Sequence, residues 1–103
     1  MPPGDFDITG SIKALEALKL ELLQAVVDLH KSMANQRHSR DERLTCLAGA
    51  LVRTYMLAAK LGVSFEQLDE KAADDIKVQI LREDEALAAD YAALFRHMRR
   101  RQP

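Results

Sequence analysis

The segment from Arg43 to Gly62, RLTCLAGALVRTYMLAAKLG, constrains the fold more than any other stretch of this chain. It is apolar on nearly every side for about five helical turns, and a helix that is apolar all round is a buried helix. We therefore expect this second helix to be enclosed by neighbours on several faces. The remaining segments are each apolar along one stripe, which is the pattern of helices that pack around such a centre.

Composition and charge exclude several classes of protein. The chain has 103 residues, of which 48% are hydrophobic and 30% charged, as in ordinary globular domains. The formal net charge of −1 argues against a surface made for nucleic acid, and the single cysteine, Cys46, precludes an internal disulfide. The N-terminus lacks a signal-peptide pattern, and we interpret the apolar second helix as a core helix. We therefore expect a soluble cytoplasmic protein with no membrane segment.

Helix start and stop signals divide the chain. Residues 1–10 carry two prolines and two glycines and are predicted to form a flexible leader. A single helical domain is expected over residues 11–101, followed by a tail at 102–103. The first helix is predicted to start at Ser11, because apolar residues recur from there at spacings of three and four. These are Ile12, Leu15, Leu18, Leu22, Val26, Leu29 and Met33.

Two further helix starts have the capping-box pattern, in which a serine is followed three residues later by Glu or Gln. Ser39 with Glu42 starts the second helix, and Ser64 with Gln67 starts the third. Gly62 is predicted to end the second helix, because glycine best adopts the left-handed conformation found there.

The last third of the chain is predicted to form one long helix, and two helices joined by a turn are the alternative left open for residues 65–101. Its apolar stripe stays in phase from Phe65 to Met98, with a bend near residues 82–85, and a length of roughly 55 Å at ~1.5 Å per residue. Such a helix would overhang a small domain and require a second chain to cover it. The predicted oligomer interface is Leu87, Tyr91, Leu94, Phe95 and Met98. The predicted fold is thus an all-α antiparallel bundle of three to four helices with a long C-terminal helix, assembled as a homodimer or higher oligomer.

The segment from Leu57 to Lys71, LAAKLGVSFEQLDEK, resembles the all-α nucleoside triphosphate pyrophosphohydrolases of the MazG-like family. The resemblance implies a helical core that binds magnesium through a Glu-x-x-Glu pair on one helix and a Glu-x-x-Asp pair on the next. Alignment on the Leu-Gly at 61–62 puts the second pair at Cys46 and Gly49, and the first pair at Glu21 and Gln24. The resemblance therefore implies a vacated metal pocket, with no metal ion, cofactor or catalytic residue.

Arg53 belongs to the same pocket, because a charged residue in an apolar helix must pair with an acid or face a cavity. Glu21 and Asp28 are the acids that we expect to pair with it. Gly49 also has a plainer interpretation, in which a glycine on a buried helix permits a close backbone approach. The candidate pocket residues are Glu21, Gln24, Cys46, Gly49 and Arg53.

Basic residues gather around the connection between the first two helices. Arg37, Arg40 and Arg43 are candidates for anion binding, and a solvated loop is the plainer interpretation. The segment 58–64 also resembles the turn of a helix-turn-helix motif. The helix after that turn, however, reads FEQLDEKAADDIK, whose acids would repel DNA phosphates. The three histidines show no spacing typical of metal ligands.

Three functional hypotheses follow. The first is a non-catalytic helical binding or regulatory module on a MazG-like scaffold with a degraded metal site, whose expected partner is a second copy of itself. The second is a magnesium-dependent nucleoside triphosphate pyrophosphohydrolase with carboxylates drawn from Glu21, Asp28, Asp69 and Asp74. The third is a small nucleic-acid accessory protein that uses the arginines near the C-terminus.

Overall fold

The protein is all-α, as predicted, in a computed structural model that describes residues 4–35 and 39–101, with side chains from Gly10 onward. Four helices occupy the described residues: α1 (Gly4–Ala34), α2 (Arg40–Lys60), α3 (Phe65–Arg82) and α4 (Glu85–Arg101). None of these helices is by itself long and apolar enough to cross a membrane, although α2 and α3 counted together reach that length and hydropathy.

The chain divides into two compact units, Met1–Val63 and Ser64–Pro103. In the first unit α1 packs on α2, and in the second α3 packs on α4. Each unit is therefore a hairpin of two helices joined by a short connection. The single helical domain over residues 11–101 stays a prediction.

The first helix begins at Gly4, earlier than the predicted start at Ser11. Both prolines of the expected leader precede this helix, so neither interrupts its hydrogen bonds. Gly10 lies inside α1, where glycine costs only about 1 kcal/mol relative to alanine. Residues 1–3 of the predicted leader and the predicted tail at 102–103 lie outside the described residues.

Both predicted serine caps are present. Ser39 Oγ accepts a hydrogen bond from the backbone N–H of Glu42 at 3.2 Å. Ser64 and Gln67 form the full capping box, because Ser64 Oγ accepts from the Gln67 backbone at 3.0 Å and Gln67 Oε1 accepts from the Ser64 backbone at 2.9 Å. These local bonds satisfy N–H groups that a helix start would otherwise leave unpaired.

The predicted stop at Gly62 is confirmed. Gly62 has a φ of +80°, in the left-handed region. Its N–H donates to the carbonyl of Ala59 at 3.2 Å, and the next N–H, of Val63, donates to the carbonyl of Ala58 at 2.8 Å. This pair of bonds is the Schellman motif, which satisfies two carbonyl groups at the end of α2.

The predicted long C-terminal helix is wrong, because residues 65–101 form two helices. Glu83 is extended, with φ −99° and ψ 167°, and ends α3. Asp84 Oδ1 then accepts a hydrogen bond from the backbone N–H of Leu87 at 3.0 Å and caps the start of α4. The break lets the apolar stripes of α3 and α4 pack against each other, and the overhang that required a second chain does not exist.

Within the first unit, α2 is not enclosed on several faces as predicted. Its only buried residue is Ala58, whereas Leu44, Leu47 and Leu51 are each more than half exposed. Within its unit α2 packs on one helix, α1, and a single neighbour covers a single stripe. The described side chains that are buried are Ser32, Ala58 and Ile76.

The Asp84 cap gives a prediction that separates a hairpin from a continuous helix. We expect Asp84→Ala to lower the free energy of unfolding by about 1 kcal/mol, because the Leu87 N–H loses its acceptor. In a continuous helix the same change would raise it by a few tenths of a kcal/mol, roughly, because alanine is the better helix former. Urea unfolding followed by far-UV circular dichroism measures the sign.

Asp90→Ala is the matched control for this change. Asp90 is exposed in the interior of α4, so its replacement is expected to leave stability unchanged or slightly raised. Equal effects of Asp84→Ala and Asp90→Ala would contradict the cap.

Gly62 and Gly49 give a second prediction, because replacing each by alanine should change the free energy of unfolding in opposite directions. Gly62→Ala is expected to lower the free energy of unfolding by about 1 kcal/mol, because alanine is strained at a positive φ. Gly49→Ala is expected to raise it by about 0.5–1 kcal/mol, because alanine is the better helix former. A Cβ at Gly49 would meet only Arg53 Nη1, at 3.9 Å, so the close backbone approach expected there is wrong. Thermal or urea unfolding of both variants checks the pair, and a loss of stability in both would contradict it.

Candidate functional site

A groove of about 300 Å³ runs between α1 and α2. Residues at spacings of three and four lie on one side of a helix, so each helix presents one row of side chains to it. The structure places all five candidate pocket residues in this groove: Glu21 and Gln24 from α1, and Cys46, Gly49 and Arg53 from α2. Ala25, Asp28 and Thr45 complete the lining.

The expected pairing of Arg53 with an acid is confirmed. Arg53 Nε lies 3.5 Å from Glu21 Oε2, across the groove from α2 to α1. The two side chains are 39% and 51% exposed, and ion pairs with this much solvent contribute little to stability. The pair nevertheless sets the local charge, because it puts a guanidinium beside one of the two carboxylates of the groove.

The other polar groups of the groove are bonded within their own helices. Gln24 Nε2 donates to Asp28 Oδ1 at 2.8 Å, one turn along α1. Thr45 Oγ1 donates to the backbone carbonyl of Asp41 at 2.9 Å, one turn back along α2. Cys46 is a free thiol of intermediate exposure. The α2 side of the groove thus offers a sulfur, a glycine backbone and a threonine hydroxyl, and it carries no carboxylate.

These residues do not fit the magnesium site that the family resemblance implies. Magnesium prefers oxygen ligands in near-octahedral geometry and is held in proteins largely by carboxylates. Both carboxylates of the groove lie on α1, where Glu21 contacts Arg53 and Asp28 accepts from Gln24. Within residues 4–35 and 39–101, no group of three or more His, Cys, Asp or Glu could hold a metal ion.

A second groove, of about 450 Å³, lies between α3 and α4. The ring of Phe95 lies beneath two cations, with Lys77 Nζ at 5.5 Å and Arg99 Cζ at 5.8 Å from its centroid. Such cation–π contacts are worth about 0.5–1 kcal/mol at exposed sites. Glu70, Ala73, Asp74 and Met98 complete the lining. This groove was missed from the sequence, because it exists only where α3 folds back on α4.

The candidate anion-binding arginines have different surroundings. Arg40 is exposed at the first position of α2. Arg43 is half-buried, and its Nη2 donates to the backbone carbonyl of Ser32 at 3.4 Å, which ties α2 to the end of α1. Ser32 Oγ and Arg43 Nε are buried without a hydrogen-bond partner in the described part of the chain. Arg37 lies outside the described residues.

The predicted interface residues all lie on α4. Leu87 and Leu94 are exposed, at 41% and 44%, whereas Tyr91, Phe95 and Met98 are half-buried. Phe95 and Met98 line the α3–α4 groove.

The four acids considered for catalysis do not lie together. Glu21 and Asp28 lie in the α1–α2 groove, and Asp74 lies in the α3–α4 groove. Asp69, the fourth of these acids, lies in α3.

Comparison with known proteins identifies the family of the chain. A family model described as the MazG-like family matches residues 8–94, which include both hairpins up to the last turns of α4. Searches of curated proteins and of solved structures give no match. Because the family model covers most of the chain, the protein belongs to the MazG-like family.

Proposed function

We propose that the protein is a non-catalytic member of the MazG-like family, a helical binding or regulatory module whose α1–α2 groove has lost the magnesium site. One observation supports this proposal above all. The α2 side of the groove carries Cys46 and Gly49 at the positions where the resemblance calls for carboxylates. Without them two helices cannot clamp a hard cation between facing acids.

The charge of the groove supports the same conclusion. Arg53 brings a permanent positive charge within 3.5 Å of Glu21, and a guanidinium repels a divalent cation. A magnesium ion at Glu21 would have to displace this arginine, with Asp28 as the only other acid of the groove. The arginine therefore stands where a metal ion would otherwise balance the charge of Glu21.

A groove of this composition suits a partner that is largely apolar with few polar groups. Ala25, Cys46 and Gly49 supply small, weakly polar contacts, and the Glu21–Arg53 pair supplies one donor and one acceptor at the edge.

We also propose that the protein is cytoplasmic, because its free thiol would stay reduced in that compartment.

The proposal predicts that the full chain neither binds magnesium in this groove nor hydrolyses nucleotides. We expect calorimetric titration with MgCl₂ to show no binding at millimolar concentrations. A panel of nucleoside triphosphates with magnesium is expected to release pyrophosphate at the rate of the protein-free control. Magnesium-dependent release that disappears in Glu21→Ala would refute the proposal and support the pyrophosphohydrolase alternative.

A gain-of-binding variant tests the reason behind that result. Cys46→Glu with Gly49→Asp places two carboxylates one turn apart on the groove side of α2, facing those of α1. This variant is expected to bind Mg²⁺ or Mn²⁺ measurably where the natural chain does not. Ala86→Glu with Ala89→Asp is the matched control, because it adds the same acids at the same spacing on exposed positions of α4. Equal binding by the two variants would show that the groove is not the determinant.

A further inference from the structure

Basic residues gather on one side of α4 over its last two turns. At ~100° per residue, the half-buried residues of α4 fall within one sector of about 120°, on the side that packs on α3. They are Ala88, Tyr91, Ala92, Phe95 and Met98. Four exposed basic residues fall within a sector of about 140° centred on the opposite side, and we call them the basic face. They are Arg96, His97, Arg100 and Arg101.

The described part of the chain supplies no counter-charge for two of these arginines. The side chains of Arg96 and Arg100 form neither an ion pair nor a hydrogen bond with any described residue. The two acids of α4, Glu85 and Asp90, lie in its first two turns. The positive charge of Arg96 and Arg100 is therefore balanced by solvent ions, which a polyanion can displace.

The dipole of α4 accounts for only part of this cluster. The partial negative charge at the end of a helix favours cations in its last turn, where Arg99, Arg100 and Arg101 lie. Arg96 lies before that turn, where the effect of the dipole has fallen off. Four arginines and two acids give α4 a formal charge of +2, whereas the whole chain has −1. The helix thus carries more positive charge than its own stability requires.

A nucleic-acid backbone is the partner that this charge pattern fits. Each strand of a duplex carries one negative charge per ~3.4 Å, and Arg96 and Arg100 lie ~6 Å apart along the axis of α4. The two guanidinium groups can therefore contact phosphates of the same strand, and each can donate two parallel hydrogen bonds to a phosphate. The same side of α4 has alanine at positions 86, 89 and 93, which has no polar group to read base edges. We therefore expect contacts with phosphates and no sequence preference.

A membrane surface fits this side of α4 less well. A helix that lies in a membrane interface needs large apolar side chains on the side that enters the lipid. The side that carries the basic face has only alanines and the exposed Asp90 beside its basic residues. Leu87 and Leu94 lie about 100° away around the helix from the centre of the basic face. Charge without an apolar anchor favours a polyanion in water.

We propose that the basic face binds the phosphodiester backbone of a nucleic acid. The net charge of −1 excludes a surface that is basic throughout, so the contact is confined to these turns and is weak. The proposal adds a binding surface and is independent of the proposed function, because Arg96 and Arg100 do not line the α1–α2 groove. A failed nucleic-acid experiment would leave the magnesium experiments unaffected.

Fluorescence anisotropy of labelled oligonucleotides with the full chain tests the proposal. Single-stranded RNA and duplex DNA, each about 20 nucleotides long, are expected to bind with a Kd on the order of 10⁻⁵ to 10⁻⁴ M at about 50 mM salt. Arg96→Gln with Arg100→Gln removes two charges, and glutamine preserves helix propensity. This variant is expected to bind at least about tenfold more weakly, and its slope of log affinity against log salt is expected to fall by about 1.5–2. Arg96→Lys with Arg100→Lys keeps the charge and is expected to keep the slope.

Lys13→Gln with Lys71→Gln is the matched control. Both lysines are exposed within helices, on α1 and α3, so the net charge changes by the same amount away from α4. This variant is expected to keep the affinity and the slope of the natural chain, and far-UV circular dichroism checks that all variants stay helical. No binding of either oligonucleotide by the natural chain, or equal losses in the two glutamine variants, would overturn the proposal. Binding to phosphatidylserine vesicles without binding to oligonucleotides would also overturn it and would indicate a membrane surface.

Discussion

The near absence of charge between positions 44 and 59 of α2 is the constraint on which the rest of the structure depends. A helix with one charged residue between positions 44 and 59 must remove several faces from water, yet α1 alone covers a single stripe of it. The two sides of the hairpin that flank this stripe therefore differ in polarity. One side keeps the polar groove with its Glu21–Arg53 pair, and the other side is left apolar.

Arg53 connects this constraint to the groove. A cation on an apolar helix needs a counter-charge, and Glu21 on α1 is the acid that the hairpin brings within 3.5 Å. The magnesium-binding arrangement implied by the family resemblance would use that acid for a metal ion. In this chain the guanidinium of Arg53 lies beside that acid, and under the proposed function it balances the charge of Glu21 in place of a metal ion.

The sequence predicted most accurately the features that depend on near neighbours. Ser39, Gly62 and Ser64 act within one helical turn, so their roles follow from local hydrogen bonding alone. The five groove residues could be named because helical spacing and the family alignment place them on facing rows. The break at Glu83 was misread, because two helices of a hairpin can share one apolar phase by coincidence. Asp84 followed by Glu85, an acid pair typical of a helix start, was the signal that could have identified it.

Exposure could not be predicted in the same way, because it depends on how many neighbours a helix has. The apolar circumference of α2 shows that the helix needs partners, but it does not specify how many of them its own chain supplies. The α3–α4 groove was missed for a related reason, since Lys77 and Phe95 meet only after the chain reverses at Asp84. The pattern of apolar side chains thus indicates which faces of a helix should be buried. The connections between helices determine which neighbours are available to bury them.

The pairing of each helix with its neighbour in sequence has a kinetic consequence. In both hairpins the packed helices are separated by a connection of only a few residues, so their contacts have low contact order. Chains dominated by such local contacts fold in microseconds to milliseconds, roughly, because little loop-closure entropy is lost before contacts form. The contacts within each hairpin can therefore form early in folding, whereas any association of chains is a bimolecular step whose rate depends on concentration.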